Sequence, residues 1–193
     1  MMPKELLIKN LDTLQKSILD LQNSNLDKFY DCAELLSECL LQNKTIFWCG
    51  NGGSAAESSH LSTELIGRFK INRIPLNSIS LNADTTAITC IANDFGFQEI
   101  FARQLEGLAK RGDLLLVLST SGDSENIIRV LEKGRTLGVH TIALLGNNGG
   151  RANSLADHSI VVNSSNTARI QELHLLLGHT LCEYGESLIL KNM

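Results

Sequence analysis

Five apolar runs of strand length recur along this chain, with helix-length segments between most of them. That rhythm limits the possible folds more than any other feature. The runs are 45–49 (TIFWC), 78–81 (SISL), 113–118 (DLLLVL), 140–145 (HTIALL) and 159–162 (SIVV). They are apolar throughout, so neither face of the strands they form is suited to water. Such strands, alternating with helices, predict a parallel sheet covered on both sides. Helical patterning lies at 54–69, 84–92, 97–110, 124–137 and 151–156, and a last helix is expected from about Thr167 to Leu190.

Before residue 44 the pattern is different. Leu7, Leu11, Leu14, Ile18 and Leu21 recur at spacings of four and three, which draws one stripe along a helix. Asn23-Ser24-Asn25 interrupts it, and a second stripe runs through Phe29, Ala33, Leu36 and Leu40. Two antiparallel helices joined by a short turn fit this, as core packing or as a contact between subunits. The expected organisation is α/β: one domain over 1–193, with 1–43 a helical extension and 44–193 a five-stranded parallel core flanked by helices, flavodoxin-like or Rossmann-like. At 193 residues the chain can bury a substantial core.

Composition removes several classes of function. A formal net charge of −4 argues against a general nucleic-acid or anionic-membrane binder. The amino terminus, MMPKELLIKNLDTLQKS, lacks the apolar core of a signal peptide, and no run approaches the ~20 apolar residues of a membrane span. Five widely spaced cysteines without a CxxC pair read as reduced thiols in a cytoplasm rather than as a cysteine metal site.

In an open parallel sheet, ligands collect outside the carboxyl ends of the strands. Two turns rich in glycine and serine are expected there. One is Gly50-Asn51-Gly52-Gly53-Ser54, the other Ser119-Thr120-Ser121-Gly122-Asp123-Ser124. The second offers four hydroxyls and an expected helix start, which together can cradle a phosphate without a lysine. The same residue types also serve as ordinary helix caps after a strand. Asp123 favours the cap reading, because a carboxylate repels phosphate unless it points away. The first turn is neither a Walker loop nor a complete GxGxxG. Its expected use is close backbone approach to a small ligand, with Asn51 offering a donor and an acceptor.

His60 and Glu64 are neighbours on one helical face. On the last helix, Gln171, His174 and Gly178 share a face and His179 lies beside it. Two imidazoles, a carboxylate and an amide can bind a divalent metal, with nitrogen and oxygen ligands suiting zinc. The same groups can move protons at a carbon next to a carbonyl. Gln171 and His179 are eight residues apart, roughly 12 Å along a straight helix. The two therefore reach one ion only by bending together or by coming from different copies of the chain, and the latter predicts an active site at a subunit interface.

With these residues laid out, the chain resembles the sugar-isomerase (SIS) domain family, most closely its phosphoheptose isomerase branch. CGNGGSAAESSHLSTELIGRF at 49–69, IANDFGF at 91–97, STSGDS at 119–124 and TARIQELH at 167–174 followed by His179 carry the likeness, in order. The resemblance implies an intramolecular oxidoreductase that interconverts sedoheptulose 7-phosphate and D-glycero-D-manno-heptose 7-phosphate through an enediol. That reaction is the first step toward activated heptose for bacterial lipopolysaccharide or capsule. It further implies a cytoplasmic homotetramer with one zinc per subunit, held by His60, Glu64, Gln171 and His179. Glu64 and His179 would be the acid/base pair. Asn51, Gly52, Gly53, Glu64, Asn93, Asp94, Ser119, Thr120, Ser121, Ser124 and Gln171 would hold the substrate.

A second class of SIS-domain protein of this size is non-catalytic and binds the bacterial replication initiator as a tetrameric adaptor. Those proteins share the glycine loop and the RIQE helix but lack the histidine corresponding to His179. Its presence here, with Glu64, favours the enzyme. Among enzymes, arabinose 5-phosphate isomerase is the nearest rival, and it normally carries additional regulatory domains.

Overall fold

A computed structural model describes residues 2–24 and 26–191, so Asn25, in the expected turn, lies outside the described residues. Two helices, α1 (Pro3–Ser24) and α2 (Leu26–Leu41), precede the first strand. The chain then alternates through β1 (Ile46–Gly50), α3 (Gly53–Ile66), β2 (Ser78–Ser80), α4 (Thr85–Phe95), α5 (Ala102–Leu108), β3 (Leu114–Ser119), α6 (Glu125–Leu137), β4 (His140–Gly146), α7 (Ala152–Leu155), β5 (His158–Val162) and α8 (Thr167–Lys191). All five strands are parallel, in the order β2-β1-β3-β4-β5.

The all-apolar strands are explained by a core on each side of the sheet. Ile46, Trp48, Leu114, Leu116, Leu118, Ile142 and Leu144 pack against α2, α3 and α8. Their alternate neighbours Phe47, Cys49, Leu115, Val117, Ala143 and Leu145 pack against α5, α6 and α7. Residues adjacent on a strand point to opposite faces, so both must be apolar when both faces are covered. Phe47, Trp48 and Phe101 are fully buried, each contributing ~2–3 kcal/mol by leaving water.

One expected helix is two pieces. The 97–110 segment forms a short 3-10 turn, Phe97–Glu99, followed by α5. Ile100, whose N–H donates to the Phe97 carbonyl and closes the tighter turn, and Phe101, which precedes α5, are both buried at the junction. Gly96, at φ 90°, ends α4 just before the turn.

At Gly178, α8 comes into close contact with α3. A Cβ there would lie 2.4 Å from Leu61 Cδ1, so glycine lets the two helices touch. What approaches α8 at this glycine is the neighbouring helix, through Leu61. One step along α8 the same contact brings two histidines together.

Candidate active site

His179 follows Gly178 and meets His60 of α3, with 2.9 Å between the two Nε2 atoms. Glu64, one turn beyond His60, places Oε1 3.3 Å from His60 Nε2. Among the described residues these three form the one group of His, Cys, Asp or Glu whose ligand atoms, all within 4.8 Å of one another, could hold a metal ion. A four-coordinate zinc with bonds of about 2.0–2.1 Å spaces its ligands about 3.3 Å apart. The observed spacings and the N,N,O donor set fit such an ion.

The cluster is open on one side. The His60 side chain is 48% exposed and that of Glu64 18%. The Phe69 ring stacks on His179, with 5.3 Å between centroids and 18° between planes. Burial and the nearby His60 hold the His179 imidazole below its ordinary pKa, with Glu64 pulling the other way. His179 is therefore neutral at neutral pH and able to accept a proton. Glu57, one turn before His60, has its pKa pushed up to about 7 by burial, with a bond from Ser54 opposing.

A second feature lies where the strand order reverses, between β1 and β3. A crevice of about 420 Å³ opens there, lined by Asn51, Phe97, Gln98, Ser124, Asn126 and Arg129 among others. Asn51 and Asn126 clasp across it through two reciprocal amide hydrogen bonds of 2.8 Å. In the 119–124 loop, Ser119 Oγ accepts from the Gly122 N–H and Ser121 Oγ from the Asp123 N–H. These bonds shape the turn and leave both hydroxyl protons to be donated. Ser124 occupies the cap position of α6, yet its side chain makes no capping bond. That favours a binding role for Ser124 over a capping one.

The loop is backed by a second one, Gly146 to Ala152. The Ala152 N–H donates to the Gly122 carbonyl, and Asn147 Nδ2 to the Thr120 carbonyl. A Cβ on Gly122 would lie 2.0 Å from the Gly149 carbonyl oxygen, and one on Gly150 2.6 Å from that of Ser121. Asp123 is turned aside into the backing loop. Its Oδ1 accepts from the Arg151 N–H at 2.9 Å, with the guanidinium close by.

His60, Glu64 and His179 are thus brought together, while Asn51 and Ser124 meet at the crevice. Gln171 is elsewhere in this chain: its amide packs against Gly53 at the head of α3, and His60 lies seven residues further along that helix. Gly52, at φ 57°, is exposed beside it. Asn93 and Asp94 share a 2.8 Å hydrogen bond in the last turn of α4, just before the Phe97 that lines the crevice. The residues not anticipated are Phe69, Phe97, Asn126, Arg129 and the 146–152 loop. The Asn147-Asn148-Gly149-Gly150 run is a legible turn signal at a strand end, whereas Asn126 sits on a helix with nothing local to mark it.

A family model described as SIS domain matches residues 8–146. The chain is 52% identical to the phosphoheptose isomerase of a Nitratiruptor species over 153 residues, 79% of this chain and 82% of the relative. It is 43% identical to that of Helicobacter pylori (strain Shi470) over 180 residues, 93% and 92% of the two chains. A solved phosphoheptose isomerase from Francisella tularensis superposes with a TM-score of 0.93 at 33% identity, over 97% of this chain and 100% of the other.

Proposed function

The chain belongs to the SIS domain family, in its phosphoheptose isomerase branch, and is a sugar-phosphate isomerase; from that premise we propose that it converts sedoheptulose 7-phosphate to D-glycero-D-manno-heptose 7-phosphate. The product feeds the activated heptose of a bacterial surface polysaccharide, lipopolysaccharide or capsule, and the reaction takes place in the cytoplasm. The observation that carries the reading is the convergence of His60, Glu64 and His179 from two helices, although His60 and His179 stand 119 positions apart in the chain.

Chemically, a ketose becomes an aldose when a proton leaves C1 and another arrives at C2. Glu64 removes the C1 proton, and the C2 carbonyl oxygen gains a proton as the enediol forms. His179 moves the proton between the two oxygens, and C2 is then protonated as the C1 carbonyl appears. The phosphate end is held by the hydroxyls of Ser119, Thr120, Ser121 and Ser124, with Asn51, Gly52, Gly53, Asn93 and Asp94 along the sugar. The aside-turned Asp123 carboxylate supports phosphate binding at this loop, because its charge is met by Arg151.

His60, Glu64 and His179 would hold one zinc per subunit, with Gln171 as a fourth ligand. When bound there, the ion would supply Lewis acidity toward the sugar carbonyl oxygen. On α8, Gln171 and His179 are roughly 12 Å apart along the axis, which supports a Gln171 contributed by a second copy. A homotetramer with active sites at its interfaces meets that need. The exposed Leu6, Leu7, Ile8, Leu11 and Leu19 of α1 supply apolar surface for such contacts.

The test is to incubate purified protein with sedoheptulose 7-phosphate in deuterated water, with and without chelator. Aldose formation with deuterium at C2 is expected. Mixed oligomers of inactive Glu64→Gln and Gln171→Ala chains should regain part of the activity if sites form between copies. Absence of turnover by metal-replete protein would overturn the reading.

A further inference from the structure

The segment between α3 and β2 is fastened to α8 by a buried carboxylate that the chemistry above does not use. Glu186 accepts hydrogen bonds from three consecutive backbone N–H groups, Phe69 at 3.1 Å, Lys70 at 2.9 Å and Ile71 at 3.1 Å. It is ion-paired with Arg73 at 3.1 Å, both side chains being within 1% of full burial. Arg73 in turn donates to the carbonyls of Glu64, Leu65 and Ile74 at 2.8–2.9 Å. Consecutive N–H groups around one carboxylate make a rigid anion nest. Burial opposes the charge on Glu186, but the three N–H groups and Arg73 together hold its pKa below the usual carboxylate range.

Glu186 lies seven residues beyond His179, on the same side of α8. The first residue it grips, Phe69, is the one whose ring stacks on His179. We infer that Glu186 is a positioning residue: by fixing the 69–71 backbone it holds the Phe69 ring flat against His179 and sets the orientation of that imidazole over the reacting carbons. Through Arg73 the same carboxylate ties down the end of α3 that carries Glu64. An Arg–Glu pair serving only to close the core has no need to bind three backbone groups of a connecting segment. This inference rests on the catalytic role given to His179 above.

The experiment compares Glu186→Gln, Glu186→Asp, Phe69→Leu and Phe69→Tyr in the intact enzyme. Glu186→Asp keeps the charge opposite Arg73, and so the fold, but withdraws the carboxylate by one methylene from the three N–H groups. Both Glu186 variants and Phe69→Leu are expected to lose roughly 10-fold or more in kcat, with KM for the sugar phosphate changed less than about 2-fold. Phe69→Tyr retains the flat ring and should keep kcat near that of the wild type. The Glu186→Asp/Phe69→Leu double variant should be no slower than the slower single one, since both act by one route. The His179 ring protons, shielded by the Phe69 face, should move downfield in the NMR spectrum of Phe69→Leu and of Glu186→Asp. Unmoved His179 signals in folded Glu186→Asp, or a Phe69→Leu enzyme at full kcat, would overturn the inference. The NMR readout does not depend on turnover. If His179→Asn were fully active while the shifts behaved as expected, the catalytic reading would fall and the structural linkage would stand.

Discussion

The 119–124 loop and the His60–Glu64–His179 cluster are built in opposite ways. The loop is defined by backbone: glycines pressed against carbonyls, N–H groups received by serine oxygens, a second loop bonded along its back. The cluster is defined by side chains that reach toward one another across two helices, with an aromatic ring as a lid. A backbone-built site tolerates little change in the chain yet does not depend on which side chains titrate. A side-chain site folds readily around a substitution and loses its chemistry entirely. Binding and chemistry should therefore fail separately.

The sharpest division should come from Glu64→Gln and His179→Asn. Each is expected to lower kcat by roughly 10²–10⁴, while the Tm stays within a degree or two of wild type. An unfolded or weakly folded variant would break the comparison. On the loop side, Gly122→Ala forces a Cβ to 2.0 Å from the Gly149 carbonyl at φ 70°. It should cost about 3 kcal/mol of stability, read as a lower urea midpoint, with KM raised more than kcat is lowered.

Smaller effects refine the contrast. Glu57 has a pKa of about 7 in the folded chain, above the 4.5 of an ordinary glutamate. The folded state thus binds its proton more tightly, and the stabilisation, complete below pH 4.5, is lost as pH rises through 7. Glu57→Gln should flatten that fall and melt a few degrees higher than wild type at pH 8, measured by thermal scans across pH. Asp123→Asn should be the mildest change, altering KM less than about 3-fold. A larger drop in KM would mean that the carboxylate does face the phosphate.

What the sequence reveals follows the same contrast. Strand positions are legible because two-sided burial leaves an unbroken apolar mark on 114–118 and 140–145. His60 and Glu64 are legible because a helix brings i and i+4 together. The pairing of His179 with them is suggested only by the helix that carries it. Phe69 over His179 and Asn126 against Asn51 join residues 110 and 75 positions apart, and no local pattern announces such contacts. The 97–110 segment reads as one helix, although it is two pieces, because Phe97, Phe101, Leu105 and Leu108 recur at spacings of four, four and three across the break.

The double amide bond between Asn51 and Asn126 has a consequence for what the crevice presents to a hydroxyl-bearing ligand. Each amide commits one N–H and one lone pair to its twin and keeps the other of each for a visitor. Amides neither gain nor lose protons over the range in which proteins live. The donor and acceptor that this pair presents therefore keep their directions in acid or alkaline solution, and any change with pH in what the crevice holds must come from Glu125 and Arg129 beside it.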